Sequence, residues 1–528
     1  MTAVPRPGGQ GAQSEPTTTT EPPVTTTTTV PVTTTSRPTT TTTTRPAVDT
    51  TSTTVAPPRA LVEACPLPKR TPPPIDGNPV AMSATIVSAL VCSSTDVVVT
   101  TPARSNGRAA QVAAAMGAPL VLATEKSPYD AEAIGAARVW TNQPSVVVSG
   151  RHAVLPLPDL DGEPPKLVTS LTDGALPEAT RPEVIAGVIG ESSASKTLVM
   201  VSPDRPQLAG VAAAAADAVG GETVWAPPGD MRNRRILGPL AGASTGRLLV
   251  GDFSDDAPWQ TDVLARGLTL PGGGQVLFPG KMIVTLYGHP HTGALGVLGE
   301  QSPADAVARA ADVAAPYATE GMQLIPGFDI ITTLASSSAG RDGDYSTELS
   351  VEDLRPWVEA ASEAGMYVVL DLQPGRTDFL TQAKRYEELL ALHNVGLALD
   401  PEWRLASDEV HLRQIGSVTG EEVNTVVDWL AGLVRRERLP QKLLLVHQFS
   451  FGMISSREVI RTPSELAVVV QMDGQGPLST KYSTWNALVA GDHTWRWGWK
   501  NFYDEDSPMA TPSQVLDLDP LPVFISFQ

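Results

Sequence analysis

Cysteine is nearly absent: Cys65 and Cys92 are the only two in 528 residues. That excludes a zinc site built on thiolates and leaves room for one disulfide. A bridge between them would clamp the start of the folded chain to its first domain, as expected of an exported protein; two buried free thiols are the alternative. Long apolar runs are also missing. No stretch of roughly 18 apolar residues occurs, so no membrane-spanning helix is expected. Basic residues are scarce, with 38 Lys and Arg against 57 Asp and Glu for a net charge of −19. With no Lys/Arg cluster, the phosphate neutralisation that nucleic-acid binding needs is lacking. Neither G-x-G-x-x-G after a strand nor G-x-x-x-x-G-K followed by Ser or Thr is present, which argues against a nucleotide loop.

The N-terminus is rich in threonine and proline instead. From about Thr17 to Pro58 almost nothing is apolar, and such a segment cannot bury enough surface to offset chain entropy. Residues 1–60 are therefore expected to form an extended, disordered stalk of the kind that holds domains off a membrane or threads a cell wall. Met1 to Pro16 has no apolar h-region, so a secreted or cell-surface location implies a mature form or a start further upstream.

Residues 61–275 repeat an α/β pattern. "DVVVTTPARSNGRAAQVAAAMGAPLVLA" reads as buried strand, loop, Ala-rich helix and buried strand, and "KTLVMVSPDRPQLAGVAAAAADAVGGETVWA" repeats it. Continuous Val/Leu strands alternating with helices imply parallel sheet covered on both faces. "RAAQVAAAMGAPLVLA" followed by "ARVW" and "SVVVSG" resembles the cell-wall-binding repeat 2 family, which implies non-covalent attachment to a cell-wall polysaccharide. A generic α/β domain beside a catalytic one is the alternative. "PGGGQ" at 271–275 reads as a flexible link to the next domain.

Residues 281–528 carry strand-like runs at regular intervals: "KMIVTLYGHP", "MQLIPGFDIITTLA", "MYVVLDLQPG", "VGLALDPEW", "KLLLVHQF", "ELAVVVQMDGQG", "HTWRWGWKNF" and "LPVFISFQ". Between them lie amphipathic helices, such as "TGEEVNTVVDWLAGLVRRERL" with Thr419 and Glu422 as a capping box and Val423, Val426, Val427, Leu430, Leu433 and Val434 on one face. A second helix starts at Ser350, with Asp353 three on, and stops at Gly365. Eight such repeats predict a (β/α)₈ TIM barrel, whose chemistry sits where the strands end. The first strand ends in His289 and His291, and the second passes through Asp329. The third supplies Asp371, Gln373 and Arg376; the fourth Asp400, Glu402 and Trp403. The fifth has His447 and Gln448, the sixth Asp473 and Gln475, and the seventh Trp495, Trp497, Trp499, Lys500 and Asn501.

Glycoside hydrolysis needs two carboxyl groups at the scissile bond and aromatic faces for sugar rings. Asp400 and Glu402 are two positions apart on one strand and so point the same way. "VGLALDPEW" resembles the strand-4 signature of chitinase-type enzymes (glycoside hydrolase family 18) and the "LDxE" of family 25 muramidases. Gly396, Leu397, Asp400 and Glu402 match the chitinase pattern, while Val395 and Ala398 stand where it has aspartates. The resemblance implies Glu402 as general acid/base and Asp400 as its orienting partner; Asp473 in "QMDG" echoes a further chitinase aspartate. "YGHPHTG", "LDLQPGRTDFLTQAKRYEELL" and "WGWKNFYDED" are similar to secreted barrel proteins of unassigned activity.

These readings converge on a secreted glycosidase acting on polysaccharide without a cofactor or metal. Its catalytic candidates are Glu402, Asp400, Asp473 and Asp371, and its substrate-binding candidates are His289, His291, Gln373, Arg376, Trp403, His447, Gln448, Trp497, Trp499 and Lys500. Two alternatives stand beside it: a non-catalytic polysaccharide-binding scaffold, and a metal-dependent hydrolase using His289, His291 and His447, with Asp473 completing the site.

Overall fold

The computed structural model describes residues 58–102, 107–143, 145–158, 160, 197–226, 229–232, 246–411, 413–490 and 494–528. The Thr/Pro stalk, up to residue 57, lies outside the described residues.

Among its described residues the α/β region has two parallel sheets of three or more strands, beside a short parallel pair, Tyr129–Asp130 with Val148–Ser149. One runs Leu120–Leu122, Asp96–Thr100, Arg138–Trp140, Ala153–Leu155, and the other Glu222–Trp225, Thr197–Val201, Gly246–Val250. The valines and leucines of the inner strands are buried because helices cover them, as continuous apolar strands require, whereas Val154 on the edge strand Ala153–Leu155 is exposed. Val97, Val99, Val199 and Val201 belong to one core with the Ala-rich helices Gly107–Met116 and Pro206–Ala218. Cys65 and Cys92 are bridged, so the expected clamp is present. It joins the strand Val62–Ala64 to its antiparallel partner Val91–Ser94.

The remainder is the expected barrel. Its strands are β1 (Lys281–Gly288), β2 (Gln323–Ala335), β3 (Tyr367–Leu372), β4 (Val395–Leu399), β5 (Lys442–His447), β6 (Leu466–Met472), β7 (Arg496–Asn501) and β8 (Phe524–Phe527). All are parallel in sequence order, and β1 closes the ring by pairing with both β2 and β8. The helix Val351–Glu363 carries the full Ser350/Asp353 capping box, and Gly365 behind it is left-handed at φ 67°. On the helix Gly420–Glu437 the named apolar face is buried. Its cap is only half of the expected box: Thr419 accepts from Glu422 N, while the Glu422 side chain instead takes a 2.8 Å hydrogen bond from Arg404 Nε.

Period two decides what fills the barrel. Ile283, Ile325, Tyr367, Val369, Ala398, Leu443, Leu445, Ala467, Val469 and Phe524 form one inner cluster. Gly396 is needed here, since a Cβ would sit 3.0 Å from the Tyr367 ring and 2.9 Å from Leu443 Cβ. Leu270, Leu277 and Phe278 join this cluster and plug the N-terminal end. The segment "PGGGQ" is thus an ordered seal and not the flexible link expected of it. Gly272, Gly273 and Gly274 turn at φ 73°, 79° and 74°, and buried Gln275 donates to Val263 O and Leu268 O at 2.9 Å.

The two regions share an interface centred on Trp259, which packs into the helical layer of the barrel. The Arg232 and Arg435 guanidiniums lie 4.7 and 4.8 Å from its ring. Arg232 donates to Ser464 O at 2.6 Å, and Arg435 pairs with Asp256 and Glu465. Trp259→Ala is expected to lower unfolding free energy by about 3–5 kcal/mol, the usual cost of deleting a buried indole, as read by urea denaturation. A loss under about 1 kcal/mol, the scale of an exposed surface contact, would remove Trp259 as the anchor.

Candidate active site

Continuing each inward register by two or four residues brings Tyr287, Asp329, Asp371, Asp400, His447, Asp473, Lys500 and Ser526 to the C-terminal end of the barrel. All are buried there, with Asp329, Asp371 and His447 fully inaccessible. They meet under a cavity of about 880 Å³ whose lining includes Tyr287, Gln373, Asp400, Glu402, Trp403, Phe449, Asp473, Lys500 and Phe502.

His447 is the hub. Its Nδ1 lies 3.0 Å from Asp473 Oδ2 and 3.6 Å from Asp400 Oδ1, and its Nε2 lies 3.8 Å from Asp371 Oδ2. Burial disfavours the imidazolium, but the Asp371 and Asp473 carboxylates outweigh it and push His447 up to about 9. Asp329 is pushed up to about 8, first by burial and then by Asp371; neither of its oxygens has a hydrogen-bond partner. Asp400 and Glu402 act as a dyad. Burial and then the neighbouring Glu402 charge drive Asp400 well above the ordinary range, and Asp400 donates a hydrogen bond to Glu402. Glu402 is raised to about 7 by burial and by Asp473, against that hydrogen bond.

The single ammonium in the mouth is held by rings. Lys500 Nζ lies 3.4 Å from the Tyr287 ring centroid and 5.2 Å from that of Phe502. Behind it, buried Lys481 donates to Lys500 O at 2.6 Å and pairs with Asp506. Asp506 accepts from Gly476 N and Phe502 N, both at 3.0 Å, which ties the loops after β6 and β7 together.

Of the residues expected from sequence, Asp400, Glu402, Asp473, Gln373, Trp403 and Lys500 line the cavity, and Asp371 and His447 lie beneath it. Others are elsewhere. Trp497 and Trp499 are 1% and 0% exposed and pack outward on Trp485, each 5.8 Å ring to ring, so neither can be a sugar platform. The register that turns Lys500 inward turns both tryptophans out. Gln448 also points away, accepting from Arg457 and donating to Ser450 O. Arg376 stacks on Tyr345 and donates to Glu409 O, pinning two loops outside the cavity. His289 and His291 face each other at 5.7 Å, and exposed His291 lies 3.9 Å from Asp353. Gly288, with φ 151° and packed against Gly296, ends β1 before His289 can turn inward. Among the described residues neither histidine joins His447 in a group of possible metal ligands, so the metal site based on that pair is not formed. Tyr287 was missed by reading only strand ends, and Asp329 was seen on the second strand without being given a role; counting inward positions by two places both.

No family model matches the chain, and no curated protein matches it. Among solved structures, an oxaloacetate acetylhydrolase in complex with the inhibitor 3,3-difluorooxalacetate is similar over 47% of this chain and 74% of that chain, at 12% identity and a TM-score of 0.28. A likeness of that size carries no argument about chemistry, and the barrel assignment rests on the strand pairing.

A carboxyl raised in the folded state loses its proton first in the unfolded chain, so stability falls as pH climbs from the unfolded to the folded value. For Asp329 that window runs from 3.8 to about 8. Asp329→Asn is expected to flatten the decline of Tm across this window, with the largest gain over wild type at its upper end. Parallel Tm profiles for the two proteins would contradict the buried-charge account.

Proposed function

We propose that the protein is a secreted glycoside hydrolase acting on a cell-wall or extracellular polysaccharide, with Glu402 transferring the proton. The observation that carries this reading is the carboxyl spacing. Asp400, Glu402 and Asp473 each have an oxygen within 4.8 Å of the others, at the wall of a cavity that also presents Trp403, Phe449 and Phe502. Inverting glycosidases hold their carboxyls ~6.5–9.5 Å apart to admit a water, whereas retaining ones need ~5 Å. Oxygens this close leave little room for the intervening water of an inverting pair, which supports retention.

In this reading Glu402 gives its proton to the leaving glycosidic oxygen as the C–O bond breaks. Asp473, whose Oδ2 lies 3.0 Å from His447 Nδ1, attacks the sugar carbon to form a glycosyl ester. Glu402, now a carboxylate, takes a proton from the water that cleaves that ester. Asp400 orients Glu402 through their hydrogen bond, and the half-buried Trp403 ring offers a sugar-stacking face. The α/β region of residues 61–275 would hold the enzyme at wall polymer, as its repeat resemblance implies. The Cys65–Cys92 bridge supports an oxidising, extracellular setting.

Glu402→Gln should cut kcat on peptidoglycan or chitin fragments by about 10²–10⁴-fold, the usual contribution of a positioned acid/base, and leave fragment affinity within a few-fold. Reducing-end release and isothermal titration measure the two quantities. Fragment binding with no turnover by the wild type would replace this reading with a polysaccharide-binding scaffold.

A further inference from the structure

The carboxyls of the mouth outnumber its cations. Among the described residues Asp329, Asp371, Asp400, Glu402 and Asp473 face one imidazole, His447, and one ammonium, Lys500, with one guanidinium, Arg413, on the cavity wall. Three carboxylate oxygens are buried with no hydrogen-bond partner: Asp400 Oδ1, Glu402 Oε2 and Asp473 Oδ1. All three residues line the cavity. Together with His447 they form a group in which one ligand atom from each residue lies within 4.8 Å of all the others. Oxygens and nitrogens about 2.0–2.4 Å from a shared centre span this range.

The imidazole is set as a ligand would be. Nδ1 faces the carboxyl group of donors, at 3.0 Å from Asp473 and 3.6 Å from Asp400, while Nε2 faces Asp371 Oδ2 at 3.8 Å. At that distance Nε2 makes no hydrogen bond, and Asp371 acts on the ring only through its charge. Carboxylate oxygens with one imidazole and no thiolate suit a divalent first-row cation such as Mn²⁺ or Zn²⁺.

We propose that Asp400, Glu402, His447 and Asp473 form a site for a divalent cation of this class. Bound there, the cation would occupy carboxylate oxygens of Asp400, Glu402 and Asp473, the same side chains that the glycosidase reading uses. The site itself stands on geometry and does not depend on the glycosidase reading.

The test is titration of the full chain, first stripped with chelator, with MnCl₂ and separately ZnCl₂ in a calorimeter. One saturable site is expected. Asp473→Asn and His447→Gln should each weaken it at least 10-fold, with native circular dichroism confirming that both variants fold; Glu402→Gln serves where either does not. Asp344→Asn should leave it unchanged. That control matters because Asp342, Asp344 and Glu348 form a second acidic group, partly exposed, on the rim. No saturable heat up to 1 mM cation, on the scale of weak extracellular sites, or a site lost in Asp344→Asn and kept in Asp473→Asn, overturns the proposal. Turnover that falls as the cation saturates supports a site that shares its side chains with the glycosidase chemistry. Turnover that rises keeps the site but overturns Glu402 as the acid.

Discussion

A ring of carboxyl groups in a dry barrel mouth is the constraint on which the rest of the structure depends. On β2, β3, β5 and β6 an inward Ile, Val or Leu lower in the barrel gives way to Asp or His at the top, and β4 and β7 add Asp400 and Lys500. Removing that many charges from water costs several kcal/mol per unpaired group. The mouth offsets this by sharing: Asp400 gives a hydrogen bond to Glu402, His447 serves three aspartates, and Lys500 rests on aromatic faces. No one of these groups has an ordinary environment, which is the condition under which acid/base and metal chemistry become accessible near neutral pH.

Such a ring holds its geometry only if the surrounding backbone cannot relax. The seal of Leu270, Leu277 and Phe278 closes the barrel from below. The Lys481–Asp506 pair joins the loops after β6 and β7, which leave the strand ends carrying Asp473 and Lys500. It is itself fully buried and hydrogen-bonded, the arrangement in which an ion pair specifies geometry more than it adds stability.

Much of this was legible in the sequence because it depends on local patterns. Strand runs, helix faces and caps depend on periodicity and short spacings, so the eight barrel strands, the Ser350 cap and the bridged cysteines could be read directly. The D-x-E of Asp400 and Glu402 could be read as well, since two positions on a strand share a face. What could not be read was which face looks inward. Trp497 and Trp499 lie one residue out of phase with Lys500, and only the closed ring settles the phase. His289 was misplaced because a strand's last inward residue depends on the contact between Gly288 and Gly296. The three glycines of "PGGGQ" look alike whether a segment is loose or tightly turned; the difference lies in Gln275 and in partners outside the segment.

The helix Gly420–Glu437 has 18 residues, a rod of about 27 Å. Arg435 at one end is locked to Asp256 and Trp259 of the α/β region. Glu422 at the other end holds Arg404, two residues beyond Glu402. Mechanically the helix is a strut between the two: a displacement of Asp256 and Trp259 would be passed along the helix axis to the segment that carries Glu402.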